Sequence, residues 1–436
     1  VFPILGVPYY ILIRIILIRK KSNYTNPNRI NNFIIVKMKN YHILKGFCKK
    51  IFLIGSGNFW YEEGVIGDDN SISYKMLKYI LFSIYGFMTL LEIMAALIGD
   101  FPEDEKSDSV TFAVSHTIVM MKLFSVLSNK ELVKKLISDL IKVCEVQEDE
   151  ILMKEKYKII KINVTAYFIV VYGSAACFVF EGLRKMLEGS HFVTVVTYYP
   201  HFEDNSSLAT LVRVFTTIVL FVMMLTMIMS VDGFTVAILI MFKYKFITLR
   251  NYFEKLSDDF EIALKRENSR IPADKLTKDL IEGIKVHIEL LRLSKEIDKA
   301  FGTVMALQLC QSSGSAVSLL LQIALSDQLT FVAGMKILFF VVALFFLLGL
   351  FLCNAGEITY QASLLSGSIF YCGWHLCPSH IPQQRDLGRL VLLASAQAQQ
   401  PQVMKAFKML DLTYGTFLLV IRGTYSVFAL FYAQNQ

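Results

Sequence analysis

Charge is scarce in this chain: Asp, Glu, Lys and Arg make up 19% of 436 residues, hydrophobic residues 54%, and the mean hydropathy is +0.49. A soluble chain of this length could not hide so much apolar surface, so the class is a polytopic membrane protein. Acid is missing altogether ahead of Trp60, although ten bases lie there. The seven cysteines (Cys48, Cys144, Cys177, Cys310, Cys353, Cys372 and Cys377) are odd in number and scattered, which excludes a disulfide framework. No internal repeat is visible, no basic tract points to nucleic acid, and no nucleophile with a base or metal cluster shares a site, which argues against an enzyme. No cofactor is expected.

What the chain does have is long apolar runs. Seven are long enough to cross a bilayer: Met76–Ile98, Val110–Leu127, Ile162–Phe180, Leu208–Met241, Phe301–Leu325, Phe331–Cys353 and Leu410–Ala433. The expected fold is therefore all-α, a seven-helix membrane bundle. Between spans four and five, Lys243 to Glu296 is charged yet still helical in pattern, which predicts helices projecting beyond the membrane. Ahead of the spans, Lys39 to Asn58 reads as a basic amphipathic helix in the membrane interface. Asp386 to Lys408 reads as a polar helix kinked by Pro401 before the last span. In domain terms, 1–37 is an upstream extension with translation expected from Met38, and 38–75 is a cytoplasmic interfacial region. Residues 76–353 hold six spans, 354–409 a cytoplasmic anchor, and 410–436 the seventh helix.

Loop charge sets the orientation. The N-terminal segment is wholly basic, the first loop holds Asp100, Glu103, Asp104, Glu105 and Asp108 against Lys106, and the second and fourth loops are basic again. Positive-inside counting places the N-terminus in the cytoplasm and, after seven crossings, the C-terminus outside. That inversion, with no acidic-Arg-Tyr or Asn-Pro-x-x-Tyr signature, excludes a G-protein-coupled receptor.

Asn354-Ala355-Gly356-Glu357, Ser366-Gly367 to Trp374, Ala396-Gln397-Ala398-Gln399-Gln400-Pro401 and Phe417 to Ser426 resemble the C-terminal pattern of insect odorant receptors. His287 ahead of span five and Tyr199-Pro200 in the second outer loop are similar to that family too. Gustatory receptors share the topology but end in Gln-Phe where this chain has Phe431-Tyr432. The family's co-receptor has a longer second cytoplasmic loop than Asn129 to Lys161. The resemblance implies a ligand-selective subunit of a tetrameric odorant-gated cation channel, formed with the co-receptor and held in lipid at the plasma membrane of olfactory neurons. The seventh helices would line the pore, and spans two, three, four and six would enclose the pocket. A gustatory-type channel and a secondary transporter are the alternatives; against the transporter, charge at mid-membrane amounts to Asp232 and little else.

For the pocket, the outer-half candidates are His116 and Met120, then Tyr172, Ala176 and Phe180, then Val212, Phe215 and Val219, and finally Met335 and Phe339. A small volatile ligand needs dispersion contacts and a polar group or two. Each of these is otherwise ordinary packing, and His116 and Tyr172 could instead bond helix to helix. Lys336 is expected to snorkel. For the gate, Phe428 and Tyr432 share a helix face with Phe431 beside it, unless these aromatics face lipid. Gln434 could line the mouth, and Arg422 is expected to pair with a neighbouring helix or subunit. Among Asn-x-Ser/Thr sequons, Asn205 alone falls in an outer loop and is the expected glycan site. Cys372, His375, Cys377 and His380 match no zinc module, and no metal is expected.

Overall fold

The computed structural model describes residues 40–265, 270–325, 330–377, 383–407 and 409–434. The upstream extension, residues 1–37, and Met38 lie outside them. The described residues form an almost wholly helical bundle. Its elements are α1 (Asn40–Leu53), α2 (Ile72–Ile98), α3 (Glu103–Ser128), α4 (Lys130–Lys142), α5 (Glu150–Leu187) and α6 (Ser207–Met227). A wide π turn (Ile228–Asp232) runs α6 into α7 (Gly233–Leu264), followed by α8 (Arg270–Leu325), α9 (Phe331–Phe370), α10 (Gln383–Ala398) and α11 (Tyr414–Gln434). Seven segments among them are long and apolar enough to cross a membrane: α2, α3, α5, α6 with α7, α8, α9 and α11. The chain is a multi-pass membrane protein.

Three expectations change. Residues Asn40–Leu53 do form a helix, but Ile43, Leu44, Cys48 and Ile51 are buried in the core rather than laid on a lipid interface. Phe59 and Trp60 are buried too, Phe59 with its ring 6.2 Å from that of Phe234. α10 ends at Ala398, so Pro401 follows the helix instead of kinking it, as expected for a residue that cannot continue the backbone ladder. Leu410–Asp411 pairs antiparallel with Lys405–Ala406, and the seventh span starts at Tyr414.

At one end of the bundle α7, α8 and α9 pack together around Phe242, Phe246, Phe253, Leu293 and Phe351. α1 is tied into this end by a buried polar hub. Glu148 accepts from Asn40 Nδ2 at 2.7 Å, Lys156 Nζ at 3.1 Å and Lys245 Nζ at 2.7 Å, and Lys245 also donates to the Val143 carbonyl at 2.6 Å. Burial opposes the Glu148 charge, but the two ammonium groups hold its carboxyl below the usual range. Cys144 beside it is pushed up to about 12, chiefly by burial.

Candidate ligand cavity and pore helix

Helices α3, α5, α6, α8 and α9 line a cavity whose empty space, open mouth included, is about 780 Å³. α3 starts, and α5 ends, at the bundle end that carries loops 99–102 and 188–206, so depth along the cavity can be read from residue order. Nearest that end, Phe112, Phe178 and Phe340 meet with ring centroids 5.0, 6.2 and 5.8 Å apart and form an aromatic cap. Lys336 sits 5.1 Å over the Phe178 ring and pairs with Asp108 at 2.5 Å. It is buried, so it closes the cap and does not snorkel.

Deeper, the wall is apolar, with Val119, Val171, Leu220, Met223 and Leu344. At the floor, Asp232 ends the π turn and accepts from Tyr167 at 2.8 Å and Lys122 at 3.4 Å. Gln308 also accepts from Lys122, and it donates to Ser312 at 2.8 Å, whose hydroxyl donates to the Leu344 carbonyl at 3.0 Å. Asp232 thus has a partner in the bundle. Lys122 and Glu92, both fully buried within spans, join Asp232 as charges inside the apolar runs. Each has a polar partner in place, Lys122 in Asp232 and Gln308, and Glu92 in the His116 Nδ1 at 2.7 Å.

Of the ten pocket candidates, His116 lines this cavity and the others do not. Tyr172 turns its hydroxyl away to donate to the Phe221 carbonyl at 2.8 Å, a bond between helices. Phe180, Phe215 and Phe339 face outward, 65%, 56% and 39% exposed. Met120, Ala176, Val212 and Met335 are half-buried and Val219 is buried, all off the cavity wall. The displacement is systematic. Val119, Val171, Ala175, Leu220 and Phe340, each one residue from a candidate, take its place, and one residue is about 100° of helix. α8, left out of the expected pocket, contributes Gln308 and Gln311.

α11 differs from every other span: 6% of its apolar window is buried within the chain. Its foot is fixed, since Tyr414 donates to Glu357 at 2.7 Å and lies so close to α9 that a Cβ on Gly356 would meet its ring at 2.9 Å. Above the foot, Phe428 and Tyr432 stack with centroids 6.0 Å apart and Tyr425 lies 6.4 Å from Phe428. Phe431 and Tyr432 are exposed, as is Arg422, which forms no ion pair among the described residues. The side chain of Gln434 lies outside the described residues. Asn205 is exposed in the loop before α6, and Ser206 of its sequon caps that helix, accepting from the Ala209 amide at 3.2 Å. Cys372 and Cys377 are buried, His375 is exposed, and His380 lies outside the described residues.

No curated protein sequence matches the chain. Its fold is shared with solved structures that include two of one receptor. One is the insect olfactory receptor OR5 from Machilis hrabei in complex with eugenol, 12% identical, with a TM-score of 0.73 over 91% of this chain and 100% of that one. The other is the same receptor described without eugenol, 13% identical, with a TM-score of 0.71 over 90% and 99%. The family model described as 7tm Odorant receptor matches residues 104–425, almost three-quarters of the sequence, and the chain belongs to that odorant receptor family.

Proposed function

We propose that this odorant receptor is the ligand-selective subunit of an odorant-gated, non-selective cation channel assembled with the odorant receptor co-receptor. Its place is the plasma membrane of olfactory sensory neurons, with the N-terminus in the cytoplasm and the C-terminus outside. The observation that carries this reading is the contrast between an enclosed cavity and a bare last helix. A capped, mostly apolar cavity suits a small volatile molecule, and the Machilis receptor's complex with eugenol supports that class of ligand. A span that its own chain leaves uncovered suits a helix packed against neighbouring subunits around a pore. Phe428, Phe431 and Tyr432 then form an apolar gate that closes by dewetting. The floor network supplies a route between the two, because Gln308 and Leu344 belong to α8 and α9, the helices against which α11 packs.

Whole-cell recording tests it. Cells expressing this chain with the co-receptor are expected to show a cation current evoked by members of a volatile panel, and cells expressing it alone are expected to stay silent. A current from the chain alone would remove the heteromer from the reading, and coupled uptake of the volatile would replace the channel with a transporter.

A further inference from the structure

The chemical class of the ligand can be read from the cavity's polar groups, an inference that rests on the cavity being the odorant site. These groups lie at two levels. The floor is complete: both Asp232 oxygens and both ends of the Gln308 amide have partners in the protein. Nearer the aromatic cap the level is open. Ser174 and Gln311 line the cavity, are 4% and 6% exposed, and make no hydrogen bond to the described residues. The buried Ser115 hydroxyl beside them has no partner either. His116 engages Glu92 through Nδ1 alone, which leaves Nε2.

These groups break the chain's own habit. Hydroxyls on α3 itself and on neighbouring helices donate to the carbonyl one turn back, Thr117 at 2.6 Å, Thr217 at 2.9 Å and Thr235 at 2.7 Å. Ser115 and Ser174 do not. Polar groups left open in a membrane interior are costly, and four converging from α3, α5 and α8 on one cavity level mark a site for a polar atom.

We infer that this level binds the hydroxyl oxygen of a small alcohol or phenol. A neutral His116 that keeps its Nδ1 hydrogen and donates it to the Glu92 carboxylate offers the lone pair of Nε2 to a donor. Gln311 and the two serines offer hydrogens to an acceptor. A hydroxyl is both at one atom. An ether or ketone oxygen only accepts and leaves His116 unmet, and a hydrocarbon leaves all four groups open. The apolar body of the ligand then lies between the aromatic cap and Val119, Val171 and Met223.

The test uses the purified full chain in lipid nanodiscs, with n-octanol, methyl octyl ether and nonane as probes in equilibrium binding, and the same probes applied to cells co-expressing the co-receptor. Octanol is expected to bind at least about tenfold more tightly than its ether, since a site built for a hydroxyl penalises its absence. Gln311→Leu and Ser174→Ala are each expected to shrink that ratio below about threefold while nonane binds as well or better. The inference is overturned if the ether equals the alcohol, if both variants keep the full preference, or if a chain that still unfolds cooperatively binds none of the three. Alcohol preference in binding with no current in cells would sink the channel reading and leave the ligand class standing. Equal currents from alcohol and ether would do the reverse.

Discussion

At the scale of single residues, the structure is held by charges that its composition makes rare. Glu148 is the clearest case, a buried carboxylate shared by two ammonium groups and an amide. Glu148→Gln keeps the shape and strands both lysines, which is expected to cost about 3–5 kcal/mol and to appear as a lowered unfolding temperature in detergent. The pH dependence has a definite sign. Because the folded carboxyl titrates below its unfolded value of about 4.3, the unfolded chain binds the proton more readily, and the stabilisation is full above that pH and lost as pH falls through the lower folded value. Thermal melts across that range should show a drop that Glu148→Gln lacks.

Lys122 and Asp232 make a second residue-scale case. Asp232→Leu alone leaves an unpaired buried ammonium and is expected to abolish surface expression, whereas Asp232→Leu with Lys122→Met should restore much of it. Surface biotinylation compares the two, and no recovery in the double variant would show that the pair does more than neutralise itself. Asp232 was visible in the sequence because it interrupts an apolar run. Lys122 was passed over inside one, and nothing short of three dimensions joins residues 110 positions apart.

Among the elements, the spans were legible and their rotation was not. Apolar length found all seven span helices, since a bilayer demands that length whatever the fold, although four of those helices run well past the expected bounds. Rotation fails for a physical reason: a span is apolar toward lipid and toward the core alike, so the alternation that reveals the inner face of a soluble helix is blurred. On α5, Tyr172, Ala176 and Phe180 were chosen for chemistry, while Val171, Ser174, Ala175 and Phe178 face the cavity. The adjacent small residues Ser174 and Ala175 were the available signal, because small side chains gather where membrane helices approach.

The foot of α11 gives a prediction at the same scale. Gly356→Val drives a branched side chain into the Tyr414 ring, and is expected to abolish ligand-evoked current while binding in the separate cavity persists. Current recording beside a binding assay would show whether the two losses part. Higher on the helix, Phe428→Ala is expected to raise the resting current in the absence of any odorant, and an unchanged leak would remove Phe428 from the gate.

For the whole molecule, topology is the property to test. If loop 188–206 faces outward, Asn205 is open to glycosylation, so the chain should migrate faster after glycosidase treatment and Asn205→Gln should abolish the shift. A persistent shift in that variant would move the glycan elsewhere, and epitope tags accessible at both termini would overturn the inverted topology.

The uncovered α11 also bears on how cells would handle a lone copy of the chain. A lone copy would offer lipid a helix carrying Thr416, Arg422 and Ser426, groups better met by protein than by hydrocarbon. Such a helix is a badge of incompleteness. On the proposed assembly, the quality-control machinery of the endoplasmic reticulum would retain and degrade the orphan, so that a cell's stock of this receptor would be set by its supply of partners rather than by its own synthesis.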